Sequence, residues 1–301
     1  MGEFTRNKIL ERLRRTIDRK EMIFAANCSS GMSAKYSAEN GADLITVHST
    51  GRYRFWGVPN PIPGLYWGGG NSMIGNVFEL SHEMDNAVDD VPLVAGLEAF
   101  DTLFRKTDKL VRKAMDTGYD GIQNWPTWGY NIPVRMLRDA AGHGFKKEIA
   151  MIKMARKMDI FTMAYAFWPD DAKKFAEAGA DVIIAHAGWT VGGPTGAPEP
   201  GTVKVDWEAE GFAAQPRTLD ETVKQVQTIL EAARSVKKEI IVLATGGSIS
   251  TPENAQYVAN RTDVHGIEAG HALEAIPYMK YLVKCGRDYK KLSMKAHPRK
   301  R

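Results

Sequence analysis

The sequence predicts a (β/α)8 barrel, and three features point to it. Eight short apolar runs alternate with stretches of helical period. The runs are continuously apolar rather than alternating, as strands buried on both faces of a parallel sheet must be. One unit also recurs: Ala38–His48 (AENGADLITVH) and Ala176–His186 (AEAGADVIIAH) agree at Ala, Glu, Gly, Ala, Asp, Ile and His.

The strands are expected at Met22–Ala26, Leu44–His48, Pro92–Gly96, Gly121–Asn124, Phe161–Tyr165, Val182–His186, Ile240–Ala244 and His265–Glu268. Helices are expected between them at Ser33–Asn40, Gly75–Asp85, Leu103–Thr117, Lys146–Lys157, Pro169–Ala178, Leu219–Val236 and Pro252–Asn260. Thr251-Pro252-Glu253 is a helix start with Pro at the first helical position. The charged amphipathic stretch Lys8–Arg19 precedes the first strand and is expected to cover the barrel bottom. Met279–Lys284 belongs to the last helix. A barrel of this class needs about 250 residues, so residues 1–289 read as one domain and 290–301 as a basic tail.

The recurring unit has a looser third copy, Thr117–Asn124 (TGYDGIQN). Its Gly-x-Asp reads as a helix C-cap glycine and the turn into a strand. His48, Asn124 and His186 would then end their strands at the C-terminal edge, where barrels place their chemistry. Two connections, Ser49–Asn71 and Ala187–Thr218, are rich in Gly, Pro and aromatic residues. Connections of that length are expected to be lids or interface arms.

Composition excludes several classes. A chain with 44% hydrophobic and 25% charged residues is globular, not disordered or collagen-like. Two cysteines, Cys28 and Cys285, give no disulfide framework and favour a reducing, cytoplasmic location. No apolar run reaches the ~18–20 residues of a membrane helix. The net charge of +4 is uneven: residues 290–301 hold six basic residues and no acid, so removing those six leaves the rest at −2. The tail reads as a solvated end. Nucleic-acid binding through it is not expected.

Candidate chemistry gathers at the strand ends. Glu98 follows strand three and suits a divalent cation or a general base. Asp101 could share that role or cap the next helix. His48 and His186 could ligate a metal, move a proton or donate to a carbonyl or enolate oxygen. Arg52 and Arg54 flank Tyr53 and suit a carboxylate or phosphate. Gly246, Gly247 and Ser248 follow strand seven and Gly270 follows strand eight, where backbone N–H groups often cradle phosphate. Ser29, Ser30 and Gly31 offer hydroxyls and amides at a helix start. Asn124 and Tyr165 would face the same mouth, with Trp125, Trp128, Trp168 and Trp189 near it. Cys28 is expected to pack rather than react, since a nucleophile needs an activating base.

SGMSAK (Ser30–Lys35), GADLI (Gly41–Ile45), STGRYR (Ser49–Arg54), GIQNWPT (Gly121–Thr127), EAGADVIIAHAGWTVGG (Glu177–Gly193) and TPENAQYVANRT (Thr251–Thr262) occur in that order. As a set they resemble the phosphoenolpyruvate hydrolase-like family, across roughly Ile9 to Leu282. The resemblance implies a barrel related to phosphoenolpyruvate mutase and isocitrate lyase. It implies a lyase or hydrolase that cleaves or forms a C–C or C–P bond beside a carbonyl or enolate of a small anionic 2-oxo-acid-like substrate. It also implies Mg2+, with Glu98 as the ligand this sequence offers. A homo-oligomer is expected. The chain departs from the family pattern where Gly69 replaces an acid, where Glu98 enters GLEAFDT, and where Thr245 and Ser248 replace a His and a Pro. The segment around Pro198–Pro216 is longer than usual. The alternative is a barrel that binds a ligand or protein without turnover.

Overall fold

A computed structural model describes residues 3–58, 77–101, 104–191 and 218–293. Eight parallel strands close in sequence order into a barrel. They are β1 (Ile23–Cys28), β2 (Leu44–Val47), β3 (Leu93–Gly96), β4 (Gly121–Gln123), β5 (Phe161–Ala166), β6 (Val182–His186), β7 (Ile241–Thr245) and β8 (Gly266–Ala269). All eight expected strands are present, with ends displaced by at most two residues. The described helices are α1 (Arg6–Asp18), α2 (Gly31–Glu39), α3 (Ser49–Phe55), α4 (Val77–Asp85), α5 (Thr107–Asp116), α6 (Ile132–Ala140), α7 (Phe145–Lys157), α8 (Pro169–Glu177), α9 (Leu219–Val236), α10 (Pro252–Ala259) and α11 (Ile276–Lys290). One turn of π-helix, His271–Ala275, leads into α11.

Two helices are not among those expected from the sequence. α3 lies inside the stretch read as a loop after strand two; only its first three residues, Ser49, Thr50 and Gly51, are buried, so it shows no apolar stripe. α6 has apolar residues at helical spacing, Ile132, Met136, Leu137 and Ala140, yet buries none of its residues. α11 also runs past the expected Met279–Lys284 to Lys290, the first residue of the basic run. Residues 59–71 of one long connection, 192–217 of the other, Gly69 and 294–301 lie outside the described residues.

α1 closes the barrel bottom as expected. Its Ile9, Leu10 and Leu13 join the inward Ile23, Leu44, Phe161, Val182 and Ile241 in one core. A second core fills the layer between strands and outer helices, with Ile45, Leu110, Ile152, Phe175, Ile183 and Ile229 among its members.

The recurring Gly-x-Asp unit has a physical cause. Asp43 Oδ2 accepts from the Phe24 N–H at 2.9 Å, Asp120 Oδ2 from the Leu93 N–H at 2.9 Å, and Asp181 Oδ2 from the Thr162 N–H at 3.1 Å. At the remaining even-numbered strand the acceptor is His265 Nδ1, 3.0 Å from the Val242 nitrogen. Every even strand thus opens with a side chain that braces the odd strand before it and satisfies a strand-entry donor. Counted from these acceptors, the residue level with His48 and His186 is Trp125, and the next in the ring is Gly270.

Asn124 is therefore one position out of phase with the histidines. In a strand that slip turns a side chain to the opposite face. Contrary to expectation, Asn124 faces away from the mouth. It donates to Glu148 Oε2 of α7 at 2.7 Å and accepts from the Tyr165 N–H at 2.7 Å.

One seam of the barrel is thinly covered. Among the described strand residues only Phe24, Ile267 and Ala269 are not fully buried. All three lie where β8 meets β1. The helix that should cover them, α11, buries only Ile276. Its Tyr281 and Leu282 are 67% and 50% exposed.

Candidate active site

Two layers of side chains fill the C-terminal end of the barrel. The lower layer comes from even strands, as in other barrels of this kind: Thr46, Gln123, Ile184 and Glu268. Glu268 is 2% exposed. Its Oε1 accepts from Thr46 Oγ1 at 2.7 Å, and Gln123 Nε2 donates to both oxygens at 3.0 and 3.2 Å. Burial raises the Glu268 carboxyl above its ordinary range, and hydrogen bonds from Tyr165, Gln123 and Thr46 pull it partly back.

The upper layer holds His48, Trp125 and His186. His48 Nε2 lies 2.7 Å from Gln123 Oε1. Because the Gln123 amide nitrogen is committed to Glu268, that oxygen must accept, which assigns the His48 proton to Nε2 and leaves Nδ1 with a lone pair. His186 Nδ1 accepts from the Gly188 N–H at 3.1 Å, so a neutral His186 carries its proton on Nε2. Burial pushes both imidazoles down to about 3, so both are neutral at pH 7. Trp125 contacts both, with ring centroids 5.8 Å from His48 and 5.7 Å from His186, and its plane is parallel to that of His186 within 5°. Tyr165 lies 5.9 Å from one and 5.3 Å from the other, and Phe167 stacks on His186 at 4.3 Å.

Trp125 is fixed from outside the barrel. Its indole N–H donates to Thr50 Oγ1 at 2.6 Å. The chain on either side is tied to the fully buried Glu148, which accepts from Asn124, Thr127 Oγ1 at 2.6 Å and the Trp128 N–H at 2.9 Å. Burial outweighs those three donors and pushes the Glu148 carboxyl up to about 8.

The groups expected to hold a ligand anion are brought together, with acids of the chain itself. Ser29 donates to Glu274 through its N–H at 2.7 Å and through its hydroxyl, and Ser33 Oγ and Arg54 Nη2 reach the same carboxylate at 2.6 and 2.9 Å. Glu83 takes the Gly31 N–H at 2.8 Å and Arg52 at 3.0 Å. Ser30 is used as the cap of α2, paired with Ser33. The glycine turn after β7 is likewise occupied: the Gly247 N–H donates to the Gly188 carbonyl at 2.8 Å. A Cβ at Gly246 would collide with that carbonyl and the His186 ring. Gly247 is thus not a free donor for phosphate, and the Ser248 carbonyl accepts from Asn254 at 2.9 Å. Gly270 packs against Asn27, which a Cβ would meet at 2.8 Å.

Glu98 and Asp101 are both buried after β3. The Glu98 charge is felt by Arg138, whose guanidinium stacks 4.8 Å from both the Phe100 and the Trp128 rings. Cys28 is buried and its thiol is pushed up to about 12 by burial first, then by Glu274, so it packs and does not react. Glu268, Gln123, Glu148 and Glu274 carry no local motif; only the counting from Asp43, Asp120 and Asp181 could have marked Gln123 and Trp125 as inward.

The family model described as phosphoenolpyruvate hydrolase-like matches residues 8–292. The chain belongs to the phosphoenolpyruvate hydrolase-like family. Among curated proteins, the tomato (Solanum lycopersicum) ToMV resistance protein Tm-1(GCR237) is 34% identical over 291 residues, 96% of this chain and 36% of that protein. The ToMV susceptible protein tm-1(GCR26) of the same plant is also 34% identical, over 95% of this chain and 36% of its own length. The chain thus spans about a third of those relatives. A phosphonopyruvate hydrolase solved with oxalate and Mg2+ superposes with a TM-score of 0.55 at 16% identity, covering 93% of this chain and 88% of that one. An oxaloacetate acetylhydrolase solved with 3,3-difluorooxalacetate gives 0.57 at 12% identity, covering 98% and 90%. These likenesses establish the barrel.

Magnesium needs hard oxygen donors, usually one or two carboxylates with waters and substrate oxygens. Among the described residues no group of three or more His, Cys, Asp or Glu side chains converges on one point. Glu268 is saturated by amide and hydroxyl donors, and Glu83 and Glu274 are paired with arginines. Glu98 faces the Arg138 charge. The described residues do not by themselves build the magnesium site expected at Glu98, and no step below runs through one.

Proposed function

We propose that this member of the phosphoenolpyruvate hydrolase-like family is a lyase or hydrolase acting beside the carbonyl of a small anionic 2-oxo-acid-like substrate at the C-terminal mouth. One observation carries the reading: two neutral imidazoles, both protonated on Nε2, flank Trp125 and Tyr165 above a buried Glu268. A neutral imidazole with a depressed pKa is suited to donate to a developing enolate oxygen rather than to protonate it outright. His186 Nε2–H has that role. His48 Nδ1 is the acceptor, held in its tautomer by the relay through Gln123 to Glu268. Glu98 is the general base, and Arg54 neutralises the substrate anion.

The second reading is a binding barrel without turnover. It is favoured by the filling of the expected anion positions with Glu274 and Glu83. The change Glu98→Gln separates the two. An enzyme loses about 10²–10⁴-fold in turnover and keeps its fold; a binding module keeps its ligand affinity and has no turnover to lose.

We infer that the expected homo-oligomer forms through α11. Its exposed apolar residues and the half-buried seam at Phe24, Ile267 and Ala269 are complementary surpluses of one chain. A second copy laying its α11 on that seam, reciprocally, covers both. Tyr281→Asp is expected to convert a dimer to monomers in light scattering; unchanged mass would remove α11 from the interface.

A further inference from the structure

The four donors around Glu274 form a set that nothing in barrel architecture requires. The Ser29 N–H, the Ser29 and Ser33 hydroxyls and the Arg54 guanidinium come from three elements and converge on one carboxylate. Glu274 and Arg54 are buried, with side chains 3% and 8% exposed. Arg54 reaches into the cradle with Nη2, yet its buried Nε has no hydrogen-bond partner. The cradle therefore has a donor that Glu274 does not use.

The position of Glu274 is also unusual. It sits on the π-helical turn His271–Ala275, directly after β8 at the mouth. π turns are rare and cluster at functional sites. The Glu274 N–H donates to the Gly270 carbonyl at 2.8 Å, and the chain continues from this turn into α11, whose only buried residue is Ile276.

We propose that Glu274 is a displaceable internal carboxylate, which keeps the Ser29–Ser33–Arg54 cradle closed until a ligand carboxylate or phosphate takes its place. The inference rests on the reading of the mouth as a site for a small anionic ligand. Exchange of one anion for another leaves every donor satisfied, so its net cost is small compared with vacating the cradle. A phosphate or second carboxylate oxygen also reaches Arg54 Nε, which Glu274 leaves idle. Release of Glu274 frees the π turn and loosens the root of α11, so ligand occupancy is coupled to the seam between β8 and β1.

The test uses the full chain with acetate and inorganic phosphate as probes. Glu274→Ala is expected to bind either anion at least about tenfold more tightly than the wild type, with a rise in Tm that the wild type does not show. In the wild type, phosphate is expected to speed hydrogen exchange of the Leu273 and Glu274 amides and of the first turn of α11. Should Glu274→Ala fail to fold, the wild-type exchange measurement decides alone. Unchanged exchange at saturating phosphate, or a folded Glu274→Ala that binds neither anion better than wild type, overturns the proposal. Neither probe needs to be turned over, so an inactive protein with a displaceable Glu274 is distinguishable from an active one whose Glu274 never moves.

Discussion

Replacing Glu148 with alanine is expected to be the most destabilising single change outside the apolar core. The substitution leaves Asn124, Thr127 and the Trp128 N–H without their acceptor in a buried setting. Unpaired buried donors cost about 1–3 kcal/mol each, and partial relaxation brings the expected loss to about 3–5 kcal/mol by denaturant titration. Glu148→Gln behaves differently, because the amide imitates the protonated acid. The folded carboxyl is raised to about 8, above an ordinary unfolded carboxylate. Its stabilising contribution is complete below the unfolded value and is lost as pH rises through about 8. Wild-type stability is expected to fall between pH 5 and 8 by up to about 1.4 kcal/mol per pH unit from this group. Glu148→Gln should flatten that slope. Equal slopes in the two proteins would show that Glu148 is ionised throughout.

The second large effect concerns turnover. His186→Phe keeps an aromatic ring between Phe167 and Trp125 and removes the Nε2 donor. If that donor holds the developing oxyanion, kcat should fall about 10²–10³-fold, with KM changed little. The Gly188 N–H loses its acceptor as well, at about 1 kcal/mol of stability. A variant with full kcat would assign His186 to packing alone.

Much of the fold was legible because parallel strands buried on both faces are continuous apolar runs, and the Asp43 and Asp181 units repeat with their histidines. The layer they build was harder to read. Asn124 is the last residue of its copy, and only the bracing aspartate shows that Trp125 is level with the histidines. Glu268 looks like any acid near a strand end; its inward direction depends on barrel closure between β8 and β1. Glu274, Glu83 and Glu148 are distant in sequence from the groups they bind, so local pattern could not join them. α6 has an apolar stripe, with Met136 and Leu137, but buries none of its residues. Arg52 and Arg54 were recognisable as anion binders, but their partners proved to be carboxylates of the same chain.

On the proposed function, the mouth between His48 and His186 works on the carbonyl of a small 2-oxo acid. Pyruvate release from phosphonopyruvate, phosphoenolpyruvate and oxaloacetate by the wild-type chain tests it most directly. Pyruvate from at least one of them, or oxalate from oxaloacetate, is expected in proportion to protein and lost in His186→Phe. A folded protein that releases neither pyruvate from any of them nor oxalate from oxaloacetate would contradict it and leave the barrel as a binding module.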